Sequence, residues 1–217
     1  MRFVFLLPLV FATSAMAAAS SASDNILVEL SRCDSSFFAA LNRNAGAFAS
    51  TPYLVKEGPV ASFKVADRTD LDRSLRRFTP ALKISGFETF GYFDEHLSLG
   101  GDEAVISWGF ILRAPMATVL KATQASLWDT SRLQQDGDVY ARSEQWDLAQ
   151  PDAGWQKIDT PGGAESRPGT IDRVLQIEAY EKDPSMTRFA CTLRGAVTLE
   201  LLKAARPDLN ATQLGNK

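Results

Sequence analysis

Apolar and polar residues alternate along several short stretches of this chain, which is the pattern of half-buried β-strands. The clearest case is Ile106, Trp108, Phe110 and Leu112, where every second residue is large and apolar. Similar patterns predict further strands over residues 61–65, 81–93, 140–148, 171–181 and 186–194. Gly86 lies inside the second of these strands and predicts a β-bulge that shifts its register.

Apolar residues three and four positions apart predict helices between some of these strands. The first helix begins after Asp24 as N-cap and runs to about Asn44; the alternative is a short strand over 26–31 followed by a helix over 35–44 that Asp34 caps. The remaining predicted helices cover residues 69–77, 115–128 and 196–206.

The order of elements predicts an α+β fold, in which an antiparallel sheet carries helices packed on one face. Residues 25–209 are expected to form a single domain. Residues 107–122 (SWGFILRAPMATVLKA) and 188–204 (RFACTLRGAVTLELLKA) share an order of aromatic strand, small-residue turn and helix, about 81 residues apart. This similarity suggests an internal repeat of two helix–three-strand halves, over about 25–128 and 129–209, although any strand–turn–helix unit has a comparable pattern.

The N-terminus has the pattern of a secretory signal peptide. A positive start at Arg2 precedes ten apolar residues, and Ala15-Met16-Ala17 fits a cleavage site after residue 17. Ten residues would rise only about 15 Å as a helix, against a hydrocarbon core of roughly 30 Å, which argues against a membrane span. We therefore expect residues 1–17 to be removed, residues 18–24 to form a flexible leader, residues 210–217 to form a tail, and the protein to reside in a periplasm.

Composition excludes several classes of protein. The chain has 217 residues, a net charge of −3, 45% hydrophobic and 23% charged residues. These values are typical of a folded water-soluble protein, and they exclude a disordered chain and a polytopic membrane protein. A strongly basic nucleic-acid-binding protein is excluded as well, so no nucleic-acid partner is expected.

The chain has two cysteines, Cys33 and Cys191, and in an oxidising compartment they are expected to form one disulfide. The alternatives are two free buried thiols or a bond between two chains. An intramolecular bond would close a loop of about 160 residues, for which the chain-entropy model gives a stabilisation on the order of 4–5 kcal/mol.

The sequence has few signals of catalytic chemistry. His96 is the one histidine, and it lies in a polar run where solvation is a sufficient explanation for it. Nucleophile-elbow, zinc-protease and nucleotide-binding motifs are not present, so we expect a protein that is not an enzyme and that has no metal or cofactor. The two carboxylates of a glycoside hydrolase can be far apart in the sequence, and no pair stands out here.

Two features point instead to contact with another molecule. Aromatic residues are dense between Phe87 and Phe93, and alternation in a strand would turn some of them outward unless both faces of the sheet are covered. Acidic residues flank the end of the predicted hairpin that follows, and acidic loops often meet basic clefts. The predicted partner-binding residues are Tyr92, Phe93, Asp94, Glu95, Asp102, Glu103 and, in a long loop rich in Gly and Pro, Trp155.

The leading hypothesis is therefore an exported protein that binds and neutralises a protein partner, such as an immunity protein or a hydrolase inhibitor. This hypothesis rests on association, because fold and compartment do not determine function. The alternatives are a module that binds a lipid or a small apolar ligand, for which an enclosed apolar pocket is expected, and a carboxylate-dependent hydrolase. The oligomeric state is not predicted.

Overall fold

The described part of the protein consists mainly of antiparallel β-strands, with four short α-helices. The computed structural model describes residues 25–49, 51–101, 103–159 and 166–209. The elements in these ranges are α1 (Ile26–Leu30), α2 (Ser36–Arg43), β1 (Leu54–Glu57), β2 (Val60–Phe63), β3 (Leu75–Ile84), β4 (Phe87–Gly100), β5 (Glu103–Leu112), α3 (Met116–Thr123), β6 (Gln134–Asp136), β7 (Val139–Asp147), β8 (Gln156–Ile158), β9 (Thr170–Tyr180), β10 (Asp183–Gly195) and α4 (Leu199–Ala205).

Eight of these strands form one large sheet in which every neighbouring pair is antiparallel. The strand order is β3-β4-β5-β10-β9-β7-β6, and β8 also pairs with β7. The central pair is β5 and β10, which come from distant parts of the chain. The position of any residue on this sheet therefore depends on long-range pairing as well as on local pattern.

The inner face of the large sheet is the face that carries the main core. Tyr92, Trp108 and Phe110 point inward there and are fully buried. Phe63 of β2 packs against the rings of Tyr92 and Phe110 at centroid distances of 5.6 and 6.0 Å. The hairpin β1–β2 thus covers part of the large sheet, and α2 packs mainly against β2. The result is a sandwich-like arrangement of a small sheet over a large one.

The predicted fold class, α+β with helices packed on one face of the sheet, was wrong. The described residues are mostly antiparallel β-sheet, and none of their α-helices exceeds eight residues. The layer above the sheet is shared between a β-hairpin and short helices, because β2, which overlaps the strand predicted over 61–65, pairs with β1 and packs Phe63 onto the large sheet.

Two local errors explain much of this difference. Residues 69–77, predicted as a helix, form a turn region followed by the start of β3, whose Leu75 pairs with Phe93 of β4. The single strand predicted over 81–93 is two strands joined at Ser85 and Gly86, which have φ values of 48° and 83°. Two consecutive residues with positive φ make the tight hairpin turn that suits strand twist, so Gly86 is a turn residue and not a bulge.

At the N-terminal end, the alternative with a separate second helix is closer to the structure than one continuous helix. Cys33 has a φ of 55°, which interrupts the helical path between α1 and α2. Asp34 then accepts a hydrogen bond from the backbone N–H of Ser36 at 2.8 Å, close to the capping role predicted for it. The strand predicted over 26–31 is helix α1 instead.

The predicted disulfide is confirmed. Cys33, between α1 and α2, is bonded to Cys191 in the middle of β10, with a Cα–Cα distance of 5.2 Å. Both cysteines are fully buried. The bond therefore fixes the N-terminal helices against the centre of the large sheet.

Other predictions remain open. Gly109 and Ala190 face each other at the centre of the β5–β10 pair, and their separation in sequence equals the spacing of the two similar segments. A common origin of two halves stays a prediction, as does the single domain over 25–209. The signal peptide, the leader and the tail lie outside the described residues.

Candidate functional site

A groove of about 880 Å³ runs across the outer face of the large sheet, opposite the main core. One wall is formed by the turn region before β3 and by β3 itself, and the other by the end of β9 and the β9–β10 turn. Strands β4, β5 and β10 form the floor between them. The lining residues are Leu71, Asp72, Leu75, Arg76, Arg77, Phe93, Glu95, Ile111, Glu178, Ala179, Tyr180, Glu181, Lys182 and Arg188.

The floor of the groove is apolar. Phe93, Ile111 and Ala190 point to the outer face of adjacent strands and form a small cluster separate from the main core. Leu75 and Tyr180 are partly buried against this cluster from the two walls. Alternation along β4 and β5 is responsible, because the neighbours of Phe93 and Ile111 in sequence point to the inner face.

Charged side chains lie directly on this apolar floor. The guanidinium of Arg188 stacks over the ring of Phe93 at 4.3 Å from the centroid. It donates to Glu178 Oε1 at 2.9 Å and to Glu95 Oε2 at 3.1 Å. Arg188 and Glu178 are direct cross-strand partners in the β9–β10 pair, whereas Glu95 reaches Arg188 from β4, on the far side of β5. We call these three residues the Arg188 cluster.

The Arg188 cluster is held in place from two sides and is still reachable from solvent. The side chains of Arg188, Glu95 and Glu178 are 19%, 29% and 27% exposed. A charged group stacked on an aromatic ring and fixed by two carboxylates has a defined position, which a binding partner can use without first ordering it.

Of the predicted partner-binding residues, the structure brings Phe93 and Glu95 together in this groove. Tyr92 and Asp94 alternate with them on β4 and therefore point to the opposite, inner face. Tyr92 is fully buried and Asp94 is 4% exposed, so neither side chain is available at the surface of the described structure.

Asp94 belongs instead to a buried ionic network with Arg206, which follows α4. Arg206 is fully buried and donates to both carboxylate oxygens of Asp94, at 3.0 and 2.7 Å, and to both of Asp208, at 2.9 and 3.0 Å. Its guanidinium lies 5.0 Å from the ring centroids of both Phe38 and Trp108. Arg68 also reaches Asp94 at 3.3 Å. We call Arg206, Asp94, Asp208 and Arg68 the Arg206 network.

The remaining predicted residues are not in the groove. Glu103 is exposed at the start of β5, and Asp102 lies outside the described residues. Trp155 lies near β8, where its ring packs edge-to-face against Trp146 at 5.6 Å and under the guanidinium of Arg173 at 4.4 Å. The structure therefore separates Trp155 from the hairpin residues with which it was grouped.

Sequence reasoning missed Arg188, Glu178, Tyr180 and Leu71 as members of the site. In the sequence, Arg188 and Ala190 alternate with Phe189 and Cys191. If Phe189 and Cys191 point inward, this alternation marks Arg188 as an outer-face residue. Its juxtaposition with Glu95 was not visible, since it requires the register of the β4–β5 and β5–β10 pairs.

The burial of Tyr92 gives a testable expectation. Its phenol oxygen has no hydrogen-bond partner among the described residues, and burial, reinforced by the charge of Asp94, raises its pKa well above the ordinary value. For Tyr92→Phe we expect unfolding free energy at neutral pH to stay the same or rise by about 1 kcal/mol, because an unpaired buried hydroxyl is removed. Urea unfolding of both proteins measures this.

The alkaline behaviour of the same variant has a definite sign. A folded-state pKa above the unfolded value of about 10 contributes stability that is present below pH 10 and is lost as the pH rises further. Tyr92→Phe lacks this loss, so its advantage over the wild type should grow at about pH 11. An equal loss of stability in both proteins between neutral pH and about pH 11 would contradict the assignment.

Within the described residues, no group of three or more His, Cys, Asp or Glu side chains is placed to hold a metal ion. No helix in the described ranges has both the length and the hydropathy needed to span a bilayer.

Comparison with known proteins adds no relative: no family model, no curated protein and no solved structure matches the chain. The geometry of the outer-face groove suits a group that presents an apolar side chain together with charge.

Proposed function

We propose that this chain is a non-enzymatic binding protein whose outer-face groove receives a segment of a protein partner. The observation that carries the proposal is the composition of the groove: an apolar floor at Phe93 and Ile111, with charged residues around it and Arg188 at its centre. An apolar centre with a polar, charged surround is the anatomy of protein interfaces, and arginine and aromatic residues dominate their binding energy.

Eight of the fourteen lining residues carry charge, four acidic and four basic. A pocket for a lipid or another apolar ligand is lined mainly by apolar side chains and encloses its ligand. The mixed lining of this groove favours a polypeptide, which offers apolar and charged side chains within a few residues of each other. The sequence-based alternative of a module that binds a lipid or a small apolar ligand receives no support from this groove.

Export to an oxidising compartment remains part of the proposal. The buried Cys33–Cys191 disulfide is compatible with such a compartment, because structural disulfides persist mainly outside the cytosol. The narrower idea of an immunity protein or a hydrolase inhibitor rests on the sequence-based association alone and stays a prediction.

The test begins by capturing the partner from the groove itself. A photoreactive phenylalanine analogue placed at Leu71, which is 67% exposed at the rim, should cross-link one protein in the cells that make this chain. The same analogue at Leu199 of α4, which is 37% exposed and lies outside the lining, serves as the matched control. Mass spectrometry then identifies the captured protein.

Affinity for the captured protein provides the quantitative prediction. Leu71→Asp is expected to weaken binding by about tenfold, because it places a charge at an apolar rim contact without disturbing the core. Leu199→Asp should leave the affinity unchanged, with calorimetry measuring both. The proposal fails if Leu71 captures nothing, or if both variants weaken binding equally.

A further inference from the structure

Acidic side chains outnumber basic ones at the surface of the groove, although equal numbers of the two line it. Arg76 is turned away from the Arg188 cluster: its guanidinium stacks on Tyr53 at 4.7 Å and donates to the carbonyl of Lys64 at 3.0 Å. Arg77 stacks on Phe90 at 5.2 Å. Without Arg76, the lining keeps three basic residues, Arg77, Lys182 and Arg188, against four acidic residues, Asp72, Glu95, Glu178 and Glu181.

The Arg188 cluster itself has two carboxylates for one guanidinium. Glu95 and Glu178 each use one oxygen on Arg188, and their second oxygens make no hydrogen bond to any other described residue. A carboxylate can accept several hydrogen bonds, so both retain capacity toward a donor that enters the groove. The centre of the groove therefore has an excess of negative charge over an apolar floor.

A second positively charged side chain would balance the second carboxylate of the Arg188 cluster. Tyr180 lies in the wall beside Glu178, partly buried against the floor, and no described cation stacks on its ring. Arginine and lysine have apolar stems that pack along such surfaces while their charged ends reach acidic groups. An acidic side chain would instead meet Glu95 and Glu178 and would have to displace one of them from Arg188.

We propose, on the basis of the function proposed above, that the partner inserts an arginine or lysine side chain into the groove, where it pairs with Glu95 and Glu178. The partner is thus a protein that presents a basic residue beside an apolar one. Charge complementarity of this kind sets orientation and accelerates encounter, and it makes binding sensitive to salt.

The experiment adds defined peptides to residues 18–217, the chain without its predicted signal peptide. It needs no knowledge of the natural partner. Three tetrapeptides with blocked ends are titrated into the protein and followed by NMR. In each peptide leucine alternates with a second residue. That second residue is arginine, its uncharged isostere citrulline, or glutamate. The arginine peptide should shift the backbone amides of Glu95, Glu178 and Arg188 and saturate. The citrulline peptide should bind about fivefold more weakly, the difference that one partly exposed ion pair contributes.

Variants test whether the difference in affinity between the arginine and citrulline peptides depends on the carboxylates of Glu95 and Glu178. Glu95→Gln combined with Glu178→Gln should abolish the preference for arginine over citrulline, while Glu57→Gln on β1, whose carboxylate pairs with Lys64 outside the groove, should retain it. The comparison of peptides on the wild type does not depend on any variant folding. Circular dichroism confirms that the double variant is folded before it is used.

Two outcomes would overturn the inference. In one, the citrulline or the glutamate peptide binds at these amides at least as tightly as the arginine peptide; in the other, none of the peptides shifts them up to about 10 mM. If either occurs while the analogue at Leu71 still captures a protein, the inserted basic side chain is ruled out and the proposed function stands. If capture at Leu71 fails as well, both proposals fall.

Discussion

Replacing Cys33 and Cys191 together with alanine is expected to lower the free energy of unfolding by about 5 kcal/mol. The bond joins residues 158 positions apart, so it removes much conformational freedom from the unfolded chain. It also fixes the link between α1 and α2 against the central strand β10, where both sulfur atoms are fully buried. A loss of this size is comparable to the total stability of many domains.

Urea unfolding of the oxidised wild type, the double-alanine variant and the reduced wild type measures the effect. The reduced wild type is the control for side-chain volume, since it keeps both sulfur atoms while lacking the bond. We expect the reduced protein and the variant to have similar free energies of unfolding, both well below that of the oxidised protein. Coincident curves for the oxidised and reduced proteins would show that the bond contributes nothing to stability.

This disulfide was predictable because the chain offers only one intramolecular pairing. The strands with strict alternation were predictable too: the predicted strand at 106–112 lies within β5, and the one at 171–181 nearly coincides with β9. Their inward residues form the core that the pattern indicates, because alternation determines which side chains share a face.

The errors arose where local pattern was ambiguous. Around Leu71 and Leu75, opposite charges three and four residues apart match an amphipathic helix, yet residues 69–74 form turns and β3 begins at Leu75, which pairs with Phe93. Tertiary pairing outweighed a weak local preference, as it commonly does in sheets. Ser85-Gly86 was missed as a turn because apolar residues on both sides continue the alternation.

The candidate site was only half predictable, for a related reason. Phe93 and Glu95 were selected from their own neighbourhood, and both lie in the groove. Arg188 and Glu178 come from β10 and β9, and only the long-range β5–β10 pair brings them across from Glu95. Register between distant strands is set by the whole core, so a single segment cannot reveal it.

The Arg206 network was the least visible of these features in the sequence, and a second large effect is expected from it. Arg206→Met should lower the free energy of unfolding by about 3–5 kcal/mol, because Asp208 would remain buried without a counter-charge and Asp94 would keep only Arg68. Burial alone lowers the pKa of Arg206, but the carboxylates of Asp208 and Asp94 more than compensate and raise it well above its ordinary value. The guanidinium is therefore charged throughout the pH range in which the protein is studied.

Two comparisons separate loss of the ion pairs from loss of packing. Lys203→Met, on the exposed side of α4, should change stability by less than about 0.5 kcal/mol. Adding Asp94→Asn and Asp208→Asn to Arg206→Met should recover a large part of the loss, since uncharged amides are less costly to bury than unpaired carboxylates. If the triple variant is no more stable than Arg206→Met, the contribution of Arg206 is instead its contact with Phe38 and Trp108.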